Sequence, residues 1–427
     1  MSKLAWLMSA EDEIFFTNFV QDVSNACRYS AMSAELRQAT PNQLPFDPVK
    51  PGGLKSYPAV WIQDFTMIFS AGFLSPECGL DHLRLILQTQ NGEQEWKLEK
   101  GATVPPYAIA DHINFDGKPV FFPGTYSPSL DQGGEPWGVQ PPLNNDFDVI
   151  WLTWMLVKRR PHGKALLQEM IGSLSVYDRL RHAFQVPTAD EQGIVFTQAE
   201  KRSVGFIFCD SIYMTGKLLM PTVLRCRAAR HMRDFATLLG KTEEAEFYAK
   251  EMTHPLTVIG KTFAHDSGWL RSCTGISSQP DVFGTLYALY TGVLDKEYRT
   301  RALQAVLDGL SGGQIEQEGA LRHVPLNYSF SVNSAWERTN TKNNTYQNGA
   351  FWHMPAGWLA HILLGAQPKL ARQFVTRYLT HMKEEDFRKN AGTFAPWEWL
   401  FAQNRSDGCP LFGPSVTLPY AVMAGII

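Results

Sequence analysis

The chain predicts an all-α protein, an (α/α)6 toroid in which an inner ring of helices is wrapped by an outer one. Three observations carry this expectation. A polar, aromatic loop, an apolar helix, a short turn and an amphipathic helix recur about every 50 to 80 residues, and about six such cycles fit the chain. The apolar helices alternate with amphipathic ones, and a helix apolar on most sides must be buried on most sides. Period-two alternation is scarce outside the loops. No Ser/Gly-rich tract, charge block or low-complexity run divides the 427 residues. A single domain over 1–427 is therefore expected, with 92–142 as a lid or pocket-wall insertion.

Residues 11–38 carry a helical period and end in the Pro-rich connector Pro41 to Gly53. The run Tyr57-Pro58-Ala59-Val60-Trp61-Ile62-Gln63-Asp64-Phe65 leads into apolar Met67, Ile68, Phe69 and Phe73, and a second helical run follows Ser75-Pro76. Between Gly92 and Pro142 the periodicity is lost, and Asp116-Gly117 suggests a short hairpin. So long an irregular stretch is more often functional than passive. Asn144-Asn145-Asp146-Phe147-Asp148 then opens an apolar helix over 149–157. Further helices are expected over 164–184, from the Gly205 to Ser211 segment through Leu239, over 242–263, through Tyr290, and over 298–310. The last ones run through Leu364, over 370–382 and over 416–427.

Aromatic residues make up 12% of the chain and charged residues 19%, with a net charge of -3. That balance lacks the dense Lys/Arg patches that nucleic acid or an anionic membrane would need. Glu11-Asp12-Glu13 interrupts any apolar leader at once, so a cytoplasmic location is expected. Cys27, Cys78, Cys209, Cys226, Cys273 and Cys409 form no CxxC pair, and no HExxH or calcium-type loop occurs. Neither metal nor cofactor is expected, and a homo-oligomer is left open.

The run Tyr346-Gln347-Asn348-Gly349-Ala350-Phe351-Trp352-His353-Met354-Pro355-Ala356-Gly357-Trp358 combines rings, carboxamides, Gly and Pro. Such a mixture is poor core material and suits a wet cleft. Rings offer a sugar a flat rest, and amides both donate to and accept from its hydroxyls. The partner expected is thus a small carbohydrate. Carboxylates stand in the lead-in loops at Asp64, Asp146, Asp148, Asp210, Asp281 and Glu398. Any one Asp there also suits an N-cap. Glu398 differs: Trp397 and Trp399 flank it, which suits a carboxyl whose solvation is controlled by rings.

Taken together, Trp61-Ile62-Gln63-Asp64-Phe65, Asn145-Asp146-Phe147-Asp148, Tyr346-Gln347-Asn348-Gly349 with Trp352, and Pro396-Trp397-Glu398-Trp399 resemble the six-hairpin glycosidases. Nearest in pattern are the neutral and alkaline invertases and the trehalase-like and debranching-type glucosidases. Gln63 stands where those enzymes have Arg, and Gln347 where they have His. The resemblance implies an inverting, exo-acting glycoside hydrolase with Glu398 as general base. It places the general acid on Asp148, with Asp146 and Asp210 as competitors. Substrate contacts are expected from Trp61, Asp64, Asp210, Tyr346, Gln347, Asn348, Trp352 and Trp397.

Three other readings compete. An epimerase or isomerase on a similar barrel would use a histidine, drawn from His112, His323, His353 and His361. A lyase would use Tyr346 and Asn348. A non-catalytic sugar-binding barrel would leave Glu398 and the mid-chain aspartates not facing each other.

Overall fold

The computed structural model describes the chain except residues 1–2, 53, 55, 128–132, 135–137, 161, 329–333, 390–393 and 402–407. Among the described residues, twelve helices exceed eight residues. In chain order they are α1 (Ala10–Ala26), α2 (Ile62–Ser70), α3 (Pro76–Gln88), α4 (Asn145–Arg159), α5 (Val176–Gln185) and α6 (Leu219–Leu239). They continue as α7 (Thr242–Thr253), α8 (Val282–Thr291), α9 (Lys296–Ser311), α10 (Ala356–Ala366), α11 (Pro368–Glu384) and α12 (Pro414–Ala424). The even-numbered helices touch in sequence, α2 to α4 to α6 to α8 to α10 to α12, and α12 returns to α2. The odd-numbered ones pack outside this closed ring. The protein is an (α/α)6 toroid.

Burial separates the layers as the apolar patterning requires. Every residue of α8 from Val282 to Leu289 is buried, whereas α7 buries only Tyr248 and α9 only Ala302, Ala305, Val306 and Gly309. Close approach within the ring needs small residues. A Cβ on Gly357 of α10 would lie 2.7 Å from Pro419 Cα of α12. Pro419 sits inside its helix and cannot donate to the Ser415 carbonyl, so the Tyr378 hydroxyl of α11 donates there at 2.9 Å.

Several expected helices are broken, each for a local reason. The first stops at Ala26 because the following backbone donors turn to the connector: Tyr29 N–H to Pro48 O at 2.7 Å and Ser30 N–H to Asp47 at 2.8 Å. The 164–184 stretch is split by the hairpin Met170–Ile171/Leu174–Ser175, where Gly172 takes φ +64. Pro255 ends the helix expected to run to 263. The chain from Gly205 to Leu218 is largely loop, and the long helix begins only at Leu219.

Small antiparallel sheets tie the loops together. Ala59–Trp61 pairs with His112–Asn114, which pairs with Pro119–Val120, so a hairpin does form around Asp116-Gly117. A four-stranded sheet joins Glu316–Gln317, Ala320–Arg322, Phe351–Trp352 and Trp399–Leu400, with Trp352 opposite Trp399. Among the described residues, no helix is long and apolar enough to cross a membrane.

Candidate active site

The N-terminal ends of the inner helices converge on a cavity of about 270 Å³. The start of α2 supplies Trp61, Gln63 and Asp64, and the start of α4 supplies Asn144 and Asn145. The loop before α6 adds Ile207, Phe208 and Asp210; Tyr346 precedes α10, and Glu398 and Phe412 precede α12. The 92–142 segment contributes Asp111 and a wall from Pro123 to Tyr126. Four outer helices begin on a side-chain cap, at Ser9, Ser75, Ser175 and Asp295. Of the inner ones only α8 does, through Asp281 to Gly284 N–H at 2.9 Å. The other five begin without a side-chain cap.

The cavity backbone is also strained. Tyr57, Ile207, Phe208 and Tyr346 hold φ of +54, +32, +57 and +46, and all four line it. For bulky residues such conformations persist only where the surroundings enforce them, commonly at functional sites. A Cβ on Gly205 would overlap the Cys209 carbonyl, so the turn that presents Asp210 depends on glycine there.

Glu398 is 3% exposed, and the Tyr57 hydroxyl donates to both its oxygens, at 3.0 and 2.9 Å. Burial pushes its carboxyl well above the usual range, Tyr57 opposes the rise, and the charges of Asp64 and Asp210 add to it. Burial likewise raises Asp64, helped by the charge on Asp111, while its own backbone N–H pulls the other way. Asp210 is pushed to about 6 by burial, against the amide of Gln347, which donates to its Oδ1. Gln347 Oε1 in turn accepts the Ser211 N–H at 2.7 Å, so this amide fixes the Asp210 loop. Asp111 bonds to His112 Nδ1 at 2.8 Å, and His112 stacks under Trp61 at 4.2 Å. Burial and mutual repulsion thus both favour the protonated forms of Asp64 and Glu398.

Trp61, Asp64, Asp210, Tyr346 and Glu398 line one cavity. Gln347, Asn348, Trp352 and Trp397 stand behind its wall. Asn348 accepts from Ala335 N–H at 3.1 Å and donates to Thr341 O at 3.0 Å. Trp352 is fully buried, stacks on Phe208 at 4.9 Å and donates to Tyr346 O at 3.2 Å. Trp397 packs on Phe394, and its carbonyl accepts from Ser415.

Asp146 and Asp148, expected at the catalytic centre, lie outside this cavity. Helical geometry accounts for both: Asp146 is turned about 100° from Asn145, and Asp148 lies about 4.5 Å further along the axis. Asp146 accepts Ile109 N–H at 3.0 Å. Asp148 is paired with Arg227 at 3.1 Å and with Asn144 Nδ2 at 3.1 Å, and burial brings it to about 6. Asn144 links the two regions, since its Nδ2 also donates to Gln63 Oε1 at 2.9 Å. Among the described residues no histidine lines the cavity; His323 packs on Phe283 and is driven to about 3 by burial. Asp111, Tyr57 and Asn144 were missed as site residues. The ring-rich run beginning at Tyr57 and, for Asp111, its place in the irregular 92–142 stretch were the signals available.

No family model matches the chain, and no curated protein matches it in sequence. Solved structures do. A GH78 rhamnosidase of Bacillus sp. GL1 aligns over 95% of this chain with TM-score 0.53 and 14% identity. The chain spans only 34% of that protein's length. A GH63 mannosylglycerate hydrolase from Thermus thermophilus, solved with glucose, aligns over 94% of this chain and 99% of its own, with TM-score 0.57 and 12% identity. A glucoamylase from Saccharomycopsis fibuligera aligns over 97% and 96%, with TM-score 0.60 and 11% identity. All three are (α/α)6-barrel glycosidases. At these identities the likeness establishes the (α/α)6-barrel fold.

Proposed function

We propose that the protein is an inverting, exo-acting glycoside hydrolase acting on a small oligosaccharide or glycoside. The observation that carries the reading is that Glu398 and Asp210, far apart in the sequence, line one aromatic cavity, where the charge of Asp210 adds to the rise of the Glu398 carboxyl. The glycosidase neighbours, which share the (α/α)6 barrel, support the reaction class.

In this mechanism the protonated form of Asp210, which burial favours, gives its proton to the leaving oxygen. Glu398 takes a proton from water as that water attacks the anomeric carbon from the opposite face. Tyr57, donating to both Glu398 oxygens, favours the ionised base. An inverting pair stands about 6.5 to 9.5 Å apart to admit that water. Asp64 and Asp111 accept from sugar hydroxyls, while Trp61 and Tyr346 offer ring faces. The acid role passes from Asp148 to Asp210 because Asp148 is occupied by Arg227 and lies off the cavity.

The test is a panel of aryl glycosides and disaccharides, with proton NMR of the first-formed anomer. Inverted product is expected, and Glu398→Gln and Asp210→Asn should each lose more than about a hundredfold in kcat. Unchanged turnover in either variant removes that assignment. Epimerised sugar without cleavage would replace the reading altogether.

A further inference from the structure

A second cavity, also about 270 Å³, lies nearer the C-terminal ends of the inner helices. Ile207 belongs to both walls, and Asp148, which faces this back cavity, is the residue bonded to Asn144 of the front one. We propose that the back cavity is a binding site for a flat, ring-bearing organic monoanion, an aryl carboxylate or sulfonate.

Shape comes from the walls. Trp151, Trp154, Trp358 and Tyr287 present rings on several sides, a setting that favours a planar apolar body. Charge comes from α6. Arg227 is paired with Asp148 at 3.1 Å and lies over Trp151 at 4.1 Å, so this pair contributes no net charge. Arg230 lines the same cavity, is exposed, and has no ion-pair partner among the described residues. A guanidinium with no ion-pair partner among the described residues therefore stands at an aromatic cavity, which favours a ligand bearing one anionic group.

The third observation is unspent polarity. His231 is 6% exposed and stacks on Trp154 at 4.5 Å, yet neither ring nitrogen has a partner. The hydroxyl of Tyr287, a residue 2% exposed, has none either. Buried polar atoms of this kind are costly unless something bonds to them, and both residues line this cavity. Ligand oxygens would accept from them. A sugar fits less well, because the oxygens of Asp148 already serve Arg227 and Asn144 and an Ile427 main-chain oxygen accepts from the Tyr290 hydroxyl at 3.1 Å.

The test is calorimetric titration of the full chain with naphthalene-2-sulfonate, and with naphthalene-2-methanol as the uncharged counterpart. One sulfonate should bind per chain, about tenfold or more tighter than the alcohol, given the strength of charge-assisted hydrogen bonds. Arg230→Ala, on an exposed face where folding is preserved, should weaken the sulfonate about five- to tenfold, and Arg230→Lys should restore much of it. Trp154→Ala should weaken both compounds, and Tyr346→Phe in the front cavity should change neither. Absence of saturable sulfonate binding would overturn the proposal. So would equal affinity for the alcohol, indifference to Arg230→Ala, or sensitivity to Tyr346→Phe instead.

Discussion

Tyr57→Phe isolates the hydrogen bonds that set the charge of Glu398. The ring remains to pack edge-on against Trp61 at 5.4 Å and against Phe412 at 6.2 Å, so the cavity keeps its shape. What goes is a hydroxyl donating to both carboxylate oxygens. A hydrogen bond to a charged group contributes about 1.5 to 3 kcal/mol. One pKa unit corresponds to about 1.36 kcal/mol, so the Glu398 pKa should climb by about one to two units. The sign follows from the donor: it stabilises the ionised form, and its loss favours the protonated one. As the base must be ionised, the acidic limb of kcat/KM should move up by about one to two pH units. On that limb the rate should fall about ten- to a hundredfold, with recovery toward the alkaline plateau. The assay is kcat/KM against pH on an aryl glycoside cleaved by the wild type, with circular dichroism to show intact folding. Superimposed acidic limbs, or a limb displaced downward, would refute the reasoning.

Gln347→Leu removes the donor to Asp210 and should raise that carboxyl above about 6, moving the alkaline limb upward by roughly half a unit to one unit; a pH profile reads it. The same change strips the acceptor from Ser211 N–H, so a lower unfolding midpoint should accompany it. Asp148→Ala leaves Arg227 without its carboxylate and should destabilise by about 3 kcal/mol, the low end for a broken buried pair because Arg227 keeps 17% side-chain exposure. Denaturant unfolding measures this, and kcat of the folded fraction should stay within about threefold; a hundredfold loss at unchanged stability would return the acid role to Asp148. Asp281→Ala should lower stability by about 1 kcal/mol through loss of the α8 cap, with kcat/KM unaltered.

The toroid was legible because its layers differ in composition. A helix such as α8, apolar throughout, and one such as α9, apolar on a narrow stripe, announce different depths. Glu398 was legible for a related reason, since a carboxyl between two indoles has few bland explanations. Which way a helix faces within the ring is a matter of tertiary packing. Nothing in Asn145-Asp146-Phe147-Asp148 tells that the first side chain looks into the front cavity while the last meets an arginine 79 residues on. Gln347 has the chemistry of a sugar-binding amide and instead braces the Asp210 loop. Asp111 enters only because its neighbour His112 pairs with Trp61 across a sheet, a contact between segments some fifty positions apart. Cap chemistry misled at Asn144, which occupies the N-cap position yet turns its amide to Gln63 and Asp148.

Ring closure also acts as a ruler. Asp210 precedes the third inner helix and Glu398 the sixth, so the two stand on opposite arcs of the hoop. The gap between them is therefore set by loops that rise from both sides of the ring, and it depends on all six neighbouring helix contacts. Gly357 against Pro419 is one of the tightest spacers in that circumference. A methyl group added there would swell the hoop far from either carboxyl, and the space left for a water between them would be altered by geometry alone.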